Sequence, residues 1–109
     1  MLARSIPIAR AMTDTLIAED FEALAGSPIT LAREGASLAV ELKEVRRLAS
    51  PSPRPAPPFV AVFCERGAKR AWPQGVYAID LGAGRGHADV FVVPIGPDGE
   101  GMCYEAVFN

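Results

Sequence analysis

A single histidine, His87, and two cysteines, Cys64 and Cys103, are all that this 109-residue chain offers for most acid–base, thiol and zinc chemistry. It contains no Cys-x-x-Cys, and no pair among His87, Cys64, Cys103, Asp80 and Asp89 has the spacing of a zinc site. Two cysteines do not make the disulfide framework of a small secreted domain, so both read as free, half-buried thiols. A thiol enzyme would need His87 as its base, and nothing in the sequence brings His87 to either cysteine. The serines stand in no nucleophile-elbow context. The expectation is therefore no catalytic residue, no metal ligand and no cofactor, hence a non-enzymatic domain.

Charge of one sign is also lacking. Eleven Lys and Arg against thirteen Asp and Glu give a net −2, which provides no electrostatic footprint for nucleic acid or an anionic membrane. No apolar run approaches the roughly 20 residues of a membrane span. The N-terminal MLARSIPIARAM has no apolar stretch long enough for a secretory signal. It reads as an extension (residues 1–12) that is not tied into the domain (13–109), and a cytoplasmic location is the default.

Turn formers are plentiful: ten glycines and ten prolines, in a chain that is half hydrophobic. That composition suits several short strands better than a few long helices. One helix is expected over Asp14–Leu24, where Leu16, Ile17, Phe21 and Leu24 share a side. Thr13 or Asp14 would cap it, and Gly26 and Pro28 would stop it. The period then changes to two. Ile29–Arg33 is a short strand, and Leu38, Val40 and Leu42 mark a longer one. After Lys43 the apolar phase slips, since Val45 and Leu48 no longer follow it, which predicts a β-bulge near Lys43-Glu44. Phe59–Cys64 (FVAVFC) is apolar on both faces, and Gly75–Leu81 follows. Ala88–Asn109 reads as a hairpin turning at Gly96–Gly101, with Tyr104, Ala106 and Phe108 on the buried face of its last strand. The fold class is mainly β: about six strands in an antiparallel meander, curled into a barrel or sandwich with one N-terminal capping helix.

Three local patterns invite a chemical reading. Ala78–Gly86 (AIDLGAGRG) resembles the first motif of S-adenosylmethionine-dependent methyltransferases, a strand, an acid and alternating glycines. That chemistry needs a helix after the glycines and a parallel sheet, whereas here the glycines lead straight into another strand, so a hairpin loop is expected. Ala49–Pro58 (ASPSPRPAPP) could present Arg54, Pro55 and Pro58 to an SH3-type domain, but its internal position favours a stiff solvated loop. Glu65–Gly75 gathers Arg66, Lys69, Arg70 and the only tryptophan, Trp72. These four are the candidate contact residues, because arginine and tryptophan are enriched at binding hot spots and loops carry recognition. The alternative is a charged loop whose Trp72 covers one barrel end.

Four stretches together resemble a family of small bacterial domains of unknown function: FEALAGSPITL (21–31), LAVELKEV (38–45), QGVY (74–77) and VVPIGPDGEGMCYEAVFN (92–109). The resemblance covers about residues 19–109. Two departures are a longer proline-rich loop and the Gly82–Gly86 loop in place of a plainer turn. The resemblance carries no activity or catalytic residue. The family looks like one encoded near phage-tail-like proteins of the tail-collar type, which implies an accessory or assembly role. The expected function is thus a non-enzymatic β-barrel module that binds another protein or itself. The alternative is a barrel holding a small ligand at a basic and aromatic rim of Arg66, Lys69, Arg70 and Trp72.

Overall fold

A computed structural model describes residues 10–11, 16–49, 53–82 and 84–109. In chain order the elements are β1 (Arg10–Ala11), α1 (Ala18–Glu22), β2 (Ile29–Arg33), β3 (Ala36–Arg47), β4 (Phe59–Arg66), β5 (Gly75–Asp80), β6 (His87–Pro97) and β7 (Gly101–Phe108). The six longer strands close into an antiparallel ring, β2-β3-β4-β7-β6-β5 and back to β2. This is not a plain meander. The consecutive strands β4 and β5 do not neighbour each other, and non-local pairings of β4 with β7 and of β2 with β5 complete the wall. Two three-stranded meanders, β2–β4 and β5–β7, thus face each other across two seams.

The alternation in each strand sets the core. Leu38 and Val40 of β3, Tyr77 and Ile79 of β5, Ala88, Val90 and Val92 of β6, and Tyr104, Ala106 and Phe108 of β7 point inward and are buried. Six strands enclose a space that side chains fill, and here large ones do: Phe59, Phe63, Tyr77 and Tyr104 are all fully buried. The slip read in β3 is a bulge, with the register jumping between Leu42 and Glu44. Lys43 is left on the outside, while Leu42 and Val45 both turn toward the core. An extra residue in one strand of a pair bends it and raises its twist, which is what closing a small barrel requires.

The helix is shorter than its periodicity suggests. It begins at Ala18, not Asp14, with Ile17 at its N-cap. The cap bond comes from inside the helix: the Ile17 N–H donates to Asp20 Oδ2 at 2.8 Å. Thr13 and Asp14, the expected caps, lie outside the described residues. Leu16, Phe21 and Leu24 are buried, but Ile17 is exposed. Phe21 drops into one barrel mouth, 5.5 Å from Phe59, 6.3 Å from Phe63 and 5.2 Å from Phe108, while Phe59 and Phe108 stack at 4.5 Å. Arg47 fastens the helix from outside through Glu22 and Glu19. Gly26 stops the turn with φ +83°, as a left-handed glycine does.

Two further differences from the sequence reading arise at the termini of these elements. Arg10–Ala11 pairs in parallel with His87–Ala88, so these two residues are joined to the sheet. β7 pairs with β6 through Val93–Pro97 only, which leaves the edge at His87–Ala88 open to another partner. The proline-rich stretch is also more than a spacer. Arg54 turns back onto the domain and donates to the carbonyls of Pro57 (3.0 Å), Phe108 (3.3 Å) and Leu16. Its guanidinium lies 5.6 Å from the Phe59 ring centroid and 5.7 Å from that of Phe108. A charged donor bonded to three carbonyls is not presented to an SH3-type partner. Arg54→Ala is expected to lower stability by roughly 2–3 kcal/mol, since it strips charge-assisted hydrogen bonds from partly buried carbonyls. Chemical denaturation of the variant against the wild type measures this, and an unchanged midpoint would refute it.

Candidate functional site

The end of the barrel opposite Phe21 is built by the last residues of β4, the first of β7 and the β6–β7 turn. Cys64 and Cys103 stand directly across from each other on β4 and β7. They alternate with Phe63 and Tyr104, which face the core, so both thiols lie on the outer side of the wall. Yet they are only 1% and 5% exposed. The Gly-Pro-Asp-Gly-Glu-Gly turn brings Asp98 to them: the two Sγ atoms and a carboxylate oxygen of Asp98 all lie within 4.8 Å of one another.

Asp98 is held from two sides. Its Oδ1 accepts the backbone N–H groups of Glu100 (2.9 Å) and Gly101 (3.2 Å), and its Oδ2 meets Lys43 Nζ at 2.9 Å. Lys43 is the bulged residue of β3, and it also bonds Glu100 Oε1 at 2.8 Å. One residue's slip in a strand therefore delivers the cation that this turn binds. Lys43, and next the Glu100 N–H, hold the Asp98 carboxyl well below the usual carboxylate range. Lys43 lowers the Glu100 carboxyl as well, and the two acids raise Lys43 in return. Burial, and after it the hydrogen bond to Asp98, push the Cys103 thiol up to about 11. Both thiols read from the sequence as free are free, but no local pattern signals that they meet.

The four candidate contact residues are held in different ways. Arg66 ends β4, and its Nε–H is shared between the two carboxylate oxygens of Glu41 at 3.0 and 3.1 Å. Lys69 and Arg70 are exposed on the loop. Trp72 is half-buried and packs against the core. The core tyrosines fasten this loop from below: the Tyr104 hydroxyl accepts the Trp72 N–H at 2.9 Å, and the Tyr77 hydroxyl donates to the Pro73 carbonyl. Trp72→Ala is expected to lower stability by about 2–3 kcal/mol, less than for a fully buried aromatic. Arg70→Ala should stay within about 0.5 kcal/mol of wild type. Equal melting temperatures for the two variants would contradict that division.

Several carboxylates here and at the helix are depressed by cations, Glu22 by Arg47 among them. A carboxyl with a lowered folded pKa adds stability above its unfolded value and loses it as pH falls through the folded one. The melting temperature is expected to drop between about pH 5 and about pH 2, and added salt should shrink the drop because the pairs are exposed. A flat profile over that window would contradict it.

A second surface, which the sequence reading missed, lies on the outer wall of β5, β6 and β7. Val76 and Phe91 are direct cross-strand partners and are 56% and 54% exposed. With Val107 they line a groove of about 610 Å3 whose polar margin is Arg54, Asp89 and Asn109. The alternation of Val90 and Val92 inward with Phe91 outward could have revealed it, had the run Val90–Val93 been split by face.

The Gly82–Gly86 segment is a hairpin loop. The Asp80 side chain accepts the Gly82 N–H at 2.8 Å, the Leu81 N–H reaches the Gly86 carbonyl, and β6 returns antiparallel to β5. No helix follows the glycines, so the methyltransferase pattern is local. Among the described residues no helix is long and apolar enough to cross a membrane. No curated protein and no solved structure matches the chain. A family model, however, matches residues 16–108, from the buried Leu16 ahead of the helix to the last residue of β7. The chain belongs to the family described as a domain of unknown function, DUF6916.

Proposed function

We propose that this domain is a non-enzymatic β-barrel module that binds another protein through the outer wall of β5–β7. The observation that carries the reading is the Val76–Phe91–Val107 surface. Of the five large hydrophobic residues noted as exposed, Ile17, Val76, Phe91, Ile95 and Val107, all but Ile17 lie on these three strands. Phe91 with Val76 and Val107, lining one groove with a polar margin, is the composition of an interface core with its rim. Loss of water from these side chains would supply the binding free energy, and Asp89 and Asn109 would set orientation.

The rim of Arg66, Lys69, Arg70 and Trp72 has less to support it as the contact surface, because Arg66 is engaged by Glu41 and Trp72 by the core. The small-ligand alternative is likewise weaker, since Phe59, Phe63, Tyr77 and Tyr104 occupy the barrel interior. An accessory role in a phage-tail-like assembly is the setting that the family resemblance suggests for such a module, and the cytoplasm is the location we propose by default.

The test compares tagged wild-type protein with Phe91→Glu in affinity capture from the native organism, with each preparation also run in sedimentation velocity. Phe91 faces solvent, so Phe91→Glu should leave the melting temperature unchanged. The reading expects a defined protein retained by wild type and lost from Phe91→Glu. Identical captured proteins for both would overturn it. Loss of self-association alone would redirect it to a homodimer.

A further inference from the structure

We propose that Cys64, Cys103 and Asp98 form a binding site for a thiophilic divalent cation, of which Zn2+ is the type, on the outer wall of the barrel beneath the β6–β7 turn. Three donor atoms from three separate parts of the chain meet here: β4, β7 and the turn. Their mutual separations of no more than 4.8 Å compare with about 3.8 Å between two sulfurs bound tetrahedrally at about 2.3 Å from zinc. Small side-chain rotations suffice to reach coordination distance, because the strand pairing already fixes the two Cα positions opposite each other.

The placement of the thiols is the second observation. Core packing does not require them, since they sit on the face of the wall away from Phe63 and Tyr104. On that face Cys64 is flanked across the ladder by Glu41, and the whole neighbourhood of Lys43, Glu100 and Arg66 is charged. Two soft donors sealed to 1% and 5% exposure, between the buried Val60 and Val62 of the same face of β4 and the charged groups of the turn, with a carboxylate laid over them, is a mixed sulfur–oxygen set. Two thiolates exclude magnesium and calcium and favour zinc-like ions.

Asp98 is supported as a metal-bound carboxylate should be. Its Oδ1 is fixed by two backbone N–H groups, and Lys43 lies on Oδ2. Such outer partners orient ligands in metal sites. On binding, each thiol loses its proton to solvent, two protons per ion, and two sulfur–metal bonds form. The ion's two positive charges are matched by the two thiolates. The carboxylate's remaining charge faces Lys43, which keeps its bond to Glu100. No oxidant enters the balance. The Asp98 side chain is 29% exposed, so the ion arrives from that side and its fourth position is left to water or to an incoming ligand.

The full chain, reduced and stripped with a chelator, is titrated with Cd2+ and with Co2+. The expected result is a sulfur-to-metal charge-transfer band that saturates at one ion per chain, with a rise in melting temperature. Asp98→Asn keeps an oxygen that accepts the Glu100 and Gly101 N–H groups but loses the ion pair with Lys43, so its metal-free melting should fall modestly while the chain stays folded. Its affinity should fall by more than about tenfold, the lower end of what even outer-partner losses cause. Cys103→Ser should abolish the band. The proposal is overturned if no band develops with metal in excess, or if Asp98→Asn binds as tightly as wild type. It is also overturned if the band appears only when the chain is unfolded in denaturant.

Discussion

Deleting Tyr104–Asn109 is expected to abolish cooperative folding, although it removes only the end of one strand. β7 is the element that joins the two meanders along their longer seam, from Phe59↔Phe108 to Arg66↔Gly101. Without its second half, β4 keeps an unpaired edge and the core loses Tyr104, Ala106 and Phe108, all nearly inaccessible. Phe108 also forms the floor on which Phe21 and Arg54 rest, with the Phe59 ring stacked against it at 4.5 Å. Phe108→Ala alone should cost about 3–5 kcal/mol, a large share of the stability of a domain this size. Circular dichroism melts of both proteins provide the test, and a soluble, cooperatively melting truncation would refute the role assigned to β7.

Gly101→Ala should be nearly as severe, for a different reason. A Cβ at Gly101 would stand 2.8 Å from the Arg66 Cα and closer still to the Glu65 carbonyl oxygen. Both obstacles are backbone, and β4 is fixed on both sides by β3 and β7. The added carbon therefore has no flexible neighbour to displace, unlike at Gly75, where the nearest atoms belong to the Arg33 side chain. The expected loss is about 3 kcal/mol, the upper end of the usual cost of overpacking. Chemical denaturation checks it. A melting temperature within a degree or two of wild type would mean that the β4 and β7 backbones separate easily at this end. The same variant should disturb the Cys64–Asp98–Cys103 geometry, because Gly101 begins the strand that carries Cys103.

What could be read from the residues was whatever local periodicity encodes. The slip after Lys43 located the bulge, and the Tyr104–Ala106–Phe108 alternation identified the buried face of β7. The glycine-rich stretch after Asp80 proved a hairpin loop because nothing helical follows it. The helix was overextended because Leu16 is buried by tertiary packing ahead of the first helical turn, which a 3.6-residue pattern cannot distinguish from helix. Non-local pairing left no such trace. The seams β4–β7 and β2–β5 join residues far apart in the chain, so neither the meeting of the two thiols nor the departure from a meander was legible. Arg54 was equally hidden: composition marks a proline-rich loop as solvated, and nothing local reveals that one arginine bonds back onto three carbonyls. Phe91 was legible in principle, by splitting the apolar run Val90–Val93 into its two faces, but the run taken whole conceals it.

The two-meander architecture also bears on how the chain finds its fold. Every hairpin within β2–β4 and β5–β7 is short-range, and within the six-strand ring only the two seams carry high sequence separation. The seams are unequal: β4–β7 pairs along its whole length, while β2–β5 is joined only at Leu31↔Ile79 and Ala32↔Ala78. Such a topology places the slow step at the docking of two preformed sheets. The long seam can nucleate that docking, and the short one can close only afterwards. The β2–β5 joint is then the last part of the ring to form and the first to open, which makes it the natural hinge of the barrel in its native-state fluctuations.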